Sequence, residues 1–235
     1  MSQSKDLILS IETSGDWCSA AFCTDGETFA SALIDTPRMQ SSRLAPMIDQ
    51  LLKDNSLTIK EFAAVAVSSG PGSYTGLRVG VSLAKGLCFG AGIPLIGVGT
   101  LDLIANQAIE LNDGEKPDYI VPMIDARRME VYQAIYDNTA RRIGEIEPLI
   151  LEGSSYTQLL AKGKVLFCGD GCAKFEQVAN HPNARFLPCC PDARYMAKIA
   201  HQKYLAGDFE DVAYMEPFYL KDFRIGQSKK NILGL

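Results

Sequence analysis

Apolar positions along the chain fall into short runs that read as strands and longer runs with a 3.6-residue period that read as helices. Leu7–Glu12 (LILSIE) is an apolar run with the look of a buried strand. A turn at Thr13-Ser14-Gly15-Asp16 leads into a second strand, Cys18–Thr24. Asp25-Gly26 is a strong hairpin signal, and Glu27–Ile34 follows as a third strand. The chain therefore opens with an antiparallel meander, which Pro37 ends. A helix starts at Ser41 or Ser42 and runs through Asn55, with Leu44, Met47, Ile48, Leu51 and Leu52 at i, i+3, i+4, i+7 and i+8. Pro46 sits near its first turn, where proline is tolerated.

Ala63–Val98 is the stretch that organises the rest. It reads AAVAVSS, then GPGSYTG, then LRVGVSLAKGLCFGAG, then IPLIGV: strand, glycine loop, helix, strand, the outline of a βαβ unit. Gly70, Gly72 and Gly76 do not fit G-x-G-x-x-G, and no Gly-Lys-Ser/Thr is present, so the loop is not a Walker A loop. Two readings stay open for it: an anion site at a helix N-terminus, or a structural turn with Ser73 or Thr75 as N-cap. The helix carries one apolar stripe (Val79, Leu83, Leu87) and two small ones (Gly76, Gly80, Ala84; Ser82, Gly86, Gly90). Interior glycine costs a helix about 1 kcal/mol against alanine, so these stripes need a reason. Either they pack tightly inside this chain or one of them receives a helix from a second protein. Thr100 caps another helix, Leu101–Leu111, which Asn112-Asp113-Gly114 ends.

The pattern then restarts. Tyr119–Asp125 (YIVPMID) is apolar and ends in an acid, as LILSIE does; Met129–Tyr136 alternates, and Arg142–Leu151 completes a second set of three strands. A short helix over Ser154–Ala161, a strand at Lys164–Cys168 ending in Gly169-Asp170-Gly171, a helix over Cys172–Ala179 and another from Pro191-Asp192 to Leu205 follow. The two halves read as a duplicated β-β-β-α-β-α core, α/β in class, of the kind shared by actin, sugar kinases and Hsp70 chaperones, with a reduced second half. The divisions expected are 1–115, 116–220 and a tail, 221–235. Glu12 and Asp125 fall at equivalent strand ends, where an acid either caps a turn or faces a cleft and holds a metal–phosphate complex.

A chain of 235 residues with a formal charge of −5 suits one large domain or two small ones, and its acidic balance argues against independent nucleic-acid binding. No apolar run spans a bilayer, and MSQSKDLILSIE is not a signal peptide. Seven cysteines without C-x-x-C spacing, and His181 and His201 without ligand spacing, favour reduced cytosolic thiols over a zinc site. Arg127 and Arg128 either pair with Glu130 or meet a phosphate, and the tail is mildly basic at Lys221, Arg224, Lys229 and Lys230.

At SSGPGSYTGLRVGVSLAKGL and the following Gly97-Val98-Gly99-Thr100-Leu101, the sequence closely resembles the TsaB (YeaZ) family. ILSIETS resembles its opening strand and phosphate-loop relic, IDARRMEVYQAIY its central signature D-A-R-x-x-E-V-Y, and Glu216–Lys221 its C-terminal P-x-Y-L-R, with lysine for arginine. The family stretch that usually opens with histidine opens here with Gln40. The resemblance implies a cytoplasmic, non-catalytic partner in making threonylcarbamoyladenosine in tRNA. It pairs with the paralogue TsaD, which carries the metal, and the small ATPase TsaE joins them. It implies no cofactor or metal of its own, nucleotide at most at the complex interface, tRNA contacted only indirectly, and no membrane. Glu12, Thr13, Ser14 and Asp125 become relic phosphate-loop positions. The pairing surface becomes the helices Ser41–Asn55 and Thr75–Gly90, with Leu44, Met47, Ile48, Leu51, Tyr74, Gly76, Arg78, Gly80, Leu83, Ala84 and Leu87 as expected contacts, and the same face allows a homodimer. The alternative is an active small-molecule or sugar-type kinase using Glu12 and Asp125 with magnesium and ATP; a peptidase needs a nucleophile or metal constellation the sequence does not display.

Overall fold

In a computed structural model that describes residues 6–221, the first three apolar runs form β1 (Ile8–Glu12), β2 (Cys18–Thr24) and β3 (Glu27–Ile34), joined as an antiparallel meander. Helix α1 (Gln40–Asp54) begins at Gln40, ahead of the serines expected to start it. β4 (Ala64–Gly70), α2 (Tyr74–Ala91) and β5 (Leu95–Gly99) make the βαβ unit, with β4 parallel to both β1 and β5. Ser73 caps α2, its Oγ accepting from the Gly76 N–H at 3.2 Å. The sheet order is β3-β2-β1-β4-β5. α3 follows as Thr100–Leu111, with Gly99 rather than Thr100 at its N-cap.

The second half repeats this plan. β6 (Tyr119–Asp125), β7 (Glu130–Gln133) and β9 (Glu147–Ile150) form the meander; β10 (Val165–Cys168) and β11 (Ala184–Leu187) add in parallel, and β8 (Tyr136–Asp137) pairs with β6 off this path. Read from the β9 side, the order β9-β7-β6-β10-β11 matches β3-β2-β1-β4-β5 position for position. The duplicated actin-like core is therefore present, and Glu12 and Asp125 are the last residues of equivalent strands. Reduction touches both strands and helices: β7, β9 and β10 have 4 residues each where β2, β3 and β4 have 7, 8 and 7, and α4 (Thr157–Leu160) and α5 (Cys172–Glu176), which stand where α1 and α2 do, are shorter than the apolar pattern suggested. Tyr156 adopts a left-handed conformation (φ 60°) that stops α4 from starting at Ser154.

Two other expectations are corrected. Met129–Tyr136 is broken into β7 and β8, because the Ile135 carbonyl turns aside to accept from the N–H groups of both Ile143 and Gly144. The last helix is a 3-10 turn, Ala193–Met196, capped by Asp192, followed by α6 (Ala197–Ala206).

Each half's final helix packs on the other half's sheet. Leu101, Ile104, Ala105 and Ala108 of α3 bury against Ile120, Ile124 and Leu166, while Met196, Ala197 and Ala200 bury against Ile8, Ala64, Ala66, Ile96 and Val98. The Tyr136 hydroxyl, fully buried, donates to Asp102 on α3 at 2.6 Å and adds a polar tie between halves. No helix among the described residues is long and apolar enough to cross a membrane. Arg224, Lys229 and Lys230 of the tail lie outside the described residues.

Candidate functional site

The loop after β1 is the point on which the first half closes. Glu12 is fully buried, and its Oε1 accepts from the Ser14 backbone N–H and from the Ser14 hydroxyl (2.5 Å). The chain's own carboxylate thus takes both Ser14 donors. Burial pushes the Glu12 carboxyl up to about 7, against the lowering effect of the Ser14 bonds. Glu12 Oε2 and the Thr13 hydroxyl, both buried, have no hydrogen-bond partner among the described residues. Ser73 N–H donates to Ser14 O at 2.7 Å, and Gln40 Nε2 donates to the carbonyls of Gly15 and Asp16, both at 3.1 Å. A primary amide reaches two carbonyls at once, so Gln40 ties this loop to the start of α1 without an imidazole.

The glycine stripe lies directly beneath this loop. A Cβ on Gly76 would run into the Thr13 carbonyl, one on Gly80 into the Thr13 hydroxyl, and one on Gly72 would sit 2.6 Å from the Ser14 carbonyl. The stripe Gly76, Gly80, Ala84 is thus filled from inside the chain, and these three are core positions. Leu44, Ile48 and Leu51 are likewise buried, on the side of α1 that packs onto α2, β2 and β3. These six expected partner contacts are corrected to core: their stripes point inward. Met47, Leu83 and Leu87 remain half-buried.

The other small stripe has the opposite environment. Ser82, Gly86 and Gly90 are exposed, and a Cβ on Gly86 or Gly90 would meet nothing within 4 Å. Beside them Phe89 is 86% exposed. Lys85, one turn before Phe89, donates to the carbonyls of Ala213 (3.0 Å) and Met215 (3.1 Å), which brings Tyr214, 83% exposed, to the same region. Sequence reasoning does not single out Phe89 or Tyr214; the signal available, for Phe89 alone, is an aromatic residue off the apolar stripe and between Gly86 and Gly90.

Tyr74 and Arg78, expected at an interface, are engaged by the C-terminal segment. The Arg78 guanidinium lies 3.9 Å over the Tyr74 ring and its Nε donates to the Tyr219 hydroxyl at 3.1 Å, while the Tyr74 and Tyr219 rings sit 4.8 Å apart. Phe218 N–H donates to Ser69 O at 2.7 Å, and the Phe218 carbonyl fills the space a Cβ on Gly70 (φ +113°) would need. The Gly70–Pro71 peptide between these contacts is cis.

At the equivalent strand end of the second half, Asp125 is exposed and is held by Lys174 Nζ at 2.6 Å; its Oδ1 also accepts from the Arg127 N–H at 2.6 Å. The Asp170 carboxylate accepts from the Asp125 N–H at 2.9 Å, and burial together with Asp125 and Asp16 raises it to about 6. Glu130 pairs with Lys221, not with the neighbouring arginines. Neither Glu12 nor Asp125 offers a free carboxylate pair, and among the described residues no group of three or more His, Cys, Asp or Glu is placed to hold a metal ion. His181 contributes nothing to such a site; its Nδ1 accepts from the Asn183 N–H at 3.2 Å.

Comparison with known proteins agrees with this architecture. The family model for TsaD, described as tRNA N6-adenosine threonylcarbamoyltransferase, matches residues 35–223. The chain is 32% identical over 225 residues to the tRNA threonylcarbamoyladenosine biosynthesis protein TsaB of Haemophilus influenzae, covering 92% of this chain and 93% of that one. It is 31% identical to the Escherichia coli protein of the same name, covering 92% and 94%. A crystal structure from Pseudomonas aeruginosa, described as an uncharacterized protein with similarity to peptidase YEAZ, superposes with a TM-score of 0.81 at 26% identity over 92% of this chain and 100% of that one. By sequence identity along nearly its whole length and by fold, the chain belongs to the TsaB family.

Proposed function

We propose that this protein is a non-catalytic scaffold and activating subunit of the cytoplasmic machinery that places a threonylcarbamoyl group on adenosine in tRNA. It pairs with a TsaD-type paralogue, and a TsaE-type ATPase joins the pair. The observation that carries the non-catalytic reading is the loop after β1: Glu12 occupies the Ser14 donors, and the start of α2 fills the space beside Thr13 and Ser14. A phosphate would have to displace a buried carboxylate and would meet its charge. The kinase alternative needs that loop empty.

Pairing uses the outer face of α2. Ser82, Gly86 and Gly90 let a second helix approach closely, and Phe89 and Tyr214 supply aromatic anchors beside them. A second copy of this chain is expected to use the same face, giving a homodimer when the paralogue is absent. Size exclusion with light scattering, on this chain alone and mixed with its TsaD counterpart, tests the proposal. Gly86→Arg and Phe89→Asp are expected to weaken the mixed species at least 10-fold, about 1.4 kcal/mol, with native circular dichroism, Gly86→Arg melting at or above the wild type. No mixed species, or magnesium-dependent ATP turnover by the lone chain, would overturn the reading.

A further inference from the structure

The turn between β6 and β7 carries two consecutive arginines that no acid among the described residues neutralises. Arg127 and Arg128 are both exposed and both left-handed, at φ 74° and φ 51°. Glycine or asparagine is the ordinary occupant of such positions, so arginine at both works against the backbone. The turn is held rigidly: Asp125 Oδ1 accepts from the Arg127 N–H, the Arg127 carbonyl accepts from the Glu130 N–H at 3.1 Å, and Ala126 N–H donates to Glu130 O at 3.0 Å. The nearest acids are already matched, Asp125 by Lys174 and Glu130 by Lys221. A protein with a net charge of −5 thus presents two unmatched arginines on a fixed turn after β6.

We propose that Arg127 and Arg128 are a direct contact to the phosphodiester backbone of the RNA substrate, made when this chain is assembled with its TsaD-type partner; this rests on the function proposed above. The guanidinium is always charged and meets phosphate oxygens with a two-point fork, which suits a ligand bearing one charge at each step of a polymer. Assembly is required because the protein's own excess of acid repels RNA from most of its surface.

The backbone geometry supplies the test. Arg127→Gly with Arg128→Gly removes both guanidiniums while relaxing two left-handed residues, so the double variant melts at or above the wild type. The affinity of the assembled complex for unmodified tRNA is measured across a salt series. The variant is expected to bind about 10-fold more weakly at roughly 0.1 M salt, with the slope of log affinity against log salt shallower by about 1 to 2. Arg127→Lys with Arg128→Lys is expected to keep most of the slope. An unchanged affinity and slope would sink the proposal. So would a variant that loses ATP binding while tRNA binding holds, which assigns the arginines to a nucleotide, or one that loses the paralogue alone, which assigns them to protein. If no complex with the paralogue forms, the scaffold function fails and the arginine contact, which requires assembly, is overturned with it; if the complex forms and its tRNA binding is unmoved by the glycine variant, the arginine contact alone is overturned.

Discussion

Gly76→Ala unfolds at a markedly lower denaturant concentration than the wild type, a loss of about 3 kcal/mol, whereas Gly86→Ala, ten residues along the same helix, gains up to about 1 kcal/mol. The intrinsic effect of alanine is favourable at both sites, since each lies within α2. At Gly86 nothing opposes it. At Gly76 the added methyl overlaps the Thr13 carbonyl, which is backbone, and that backbone is fixed on both sides: Ser14 is bonded to Glu12, and its carbonyl accepts from Ser73. Relief requires moving the β1–β2 loop off the helix and breaking bonds to buried partners. Gly80→Ala falls between them, because it meets the Thr13 hydroxyl, a side-chain atom that can rotate away. The order Gly76, Gly80, Gly86, with the sign reversing at the last, is read by chemical denaturation of the three variants. A uniform gain at all three sites would show that the loop does not press on the helix.

The same comparison shows what is legible in the sequence. Both small stripes of α2 can be read, and both promise that something approaches closely. Nothing in either says what, because the approaching group, Thr13, is remote in sequence for one and absent for the other. The succession of elements in the first half follows from local signals: the Asp25-Gly26 turn, the alternation of β3 and the period of α1. The second half obeys the same plan but leaves its expected course at Ile135 and Tyr156, where one carbonyl and one left-handed residue redirect the backbone without altering the hydrophobic pattern. The acids Glu12 and Asp125 are found by symmetry, yet their environments differ entirely. One is sealed under α2 and bonded to Ser14; the other sits at the surface under a lysine. Composition places a carboxylate at a strand end, and only packing decides whether water reaches it.

That difference yields the last expected result: Glu12→Gln stabilises the protein at pH 8 and leaves it nearly unchanged at pH 5. The folded-state carboxyl titrates near 7, raised by burial from an ordinary value of 4.5. Between these values the folded protein binds the proton and the unfolded chain releases it, so stability falls as pH rises through this window. Above it, wild type carries a buried charge at a cost of about 3 kcal/mol, since each pH unit between the two values is worth about 1.4 kcal/mol. Glutamine keeps a carbonyl oxygen to accept from the Ser14 N–H and hydroxyl, as Glu12 Oε1 does, and carries no charge to desolvate. The gap in unfolding free energy between variant and wild type should therefore open from near zero at pH 5 to about 3 kcal/mol in favour of glutamine at pH 8. A gap that does not change with pH would mean that the carboxyl titrates alike in both states. On the non-catalytic reading proposed above, the Glu12 carboxyl consumes the Ser14 donors that a phosphate would need. The glutamine variant, neutral in the same space, then pairs with the TsaD-type partner as the wild type does, which the light-scattering measurement reads directly.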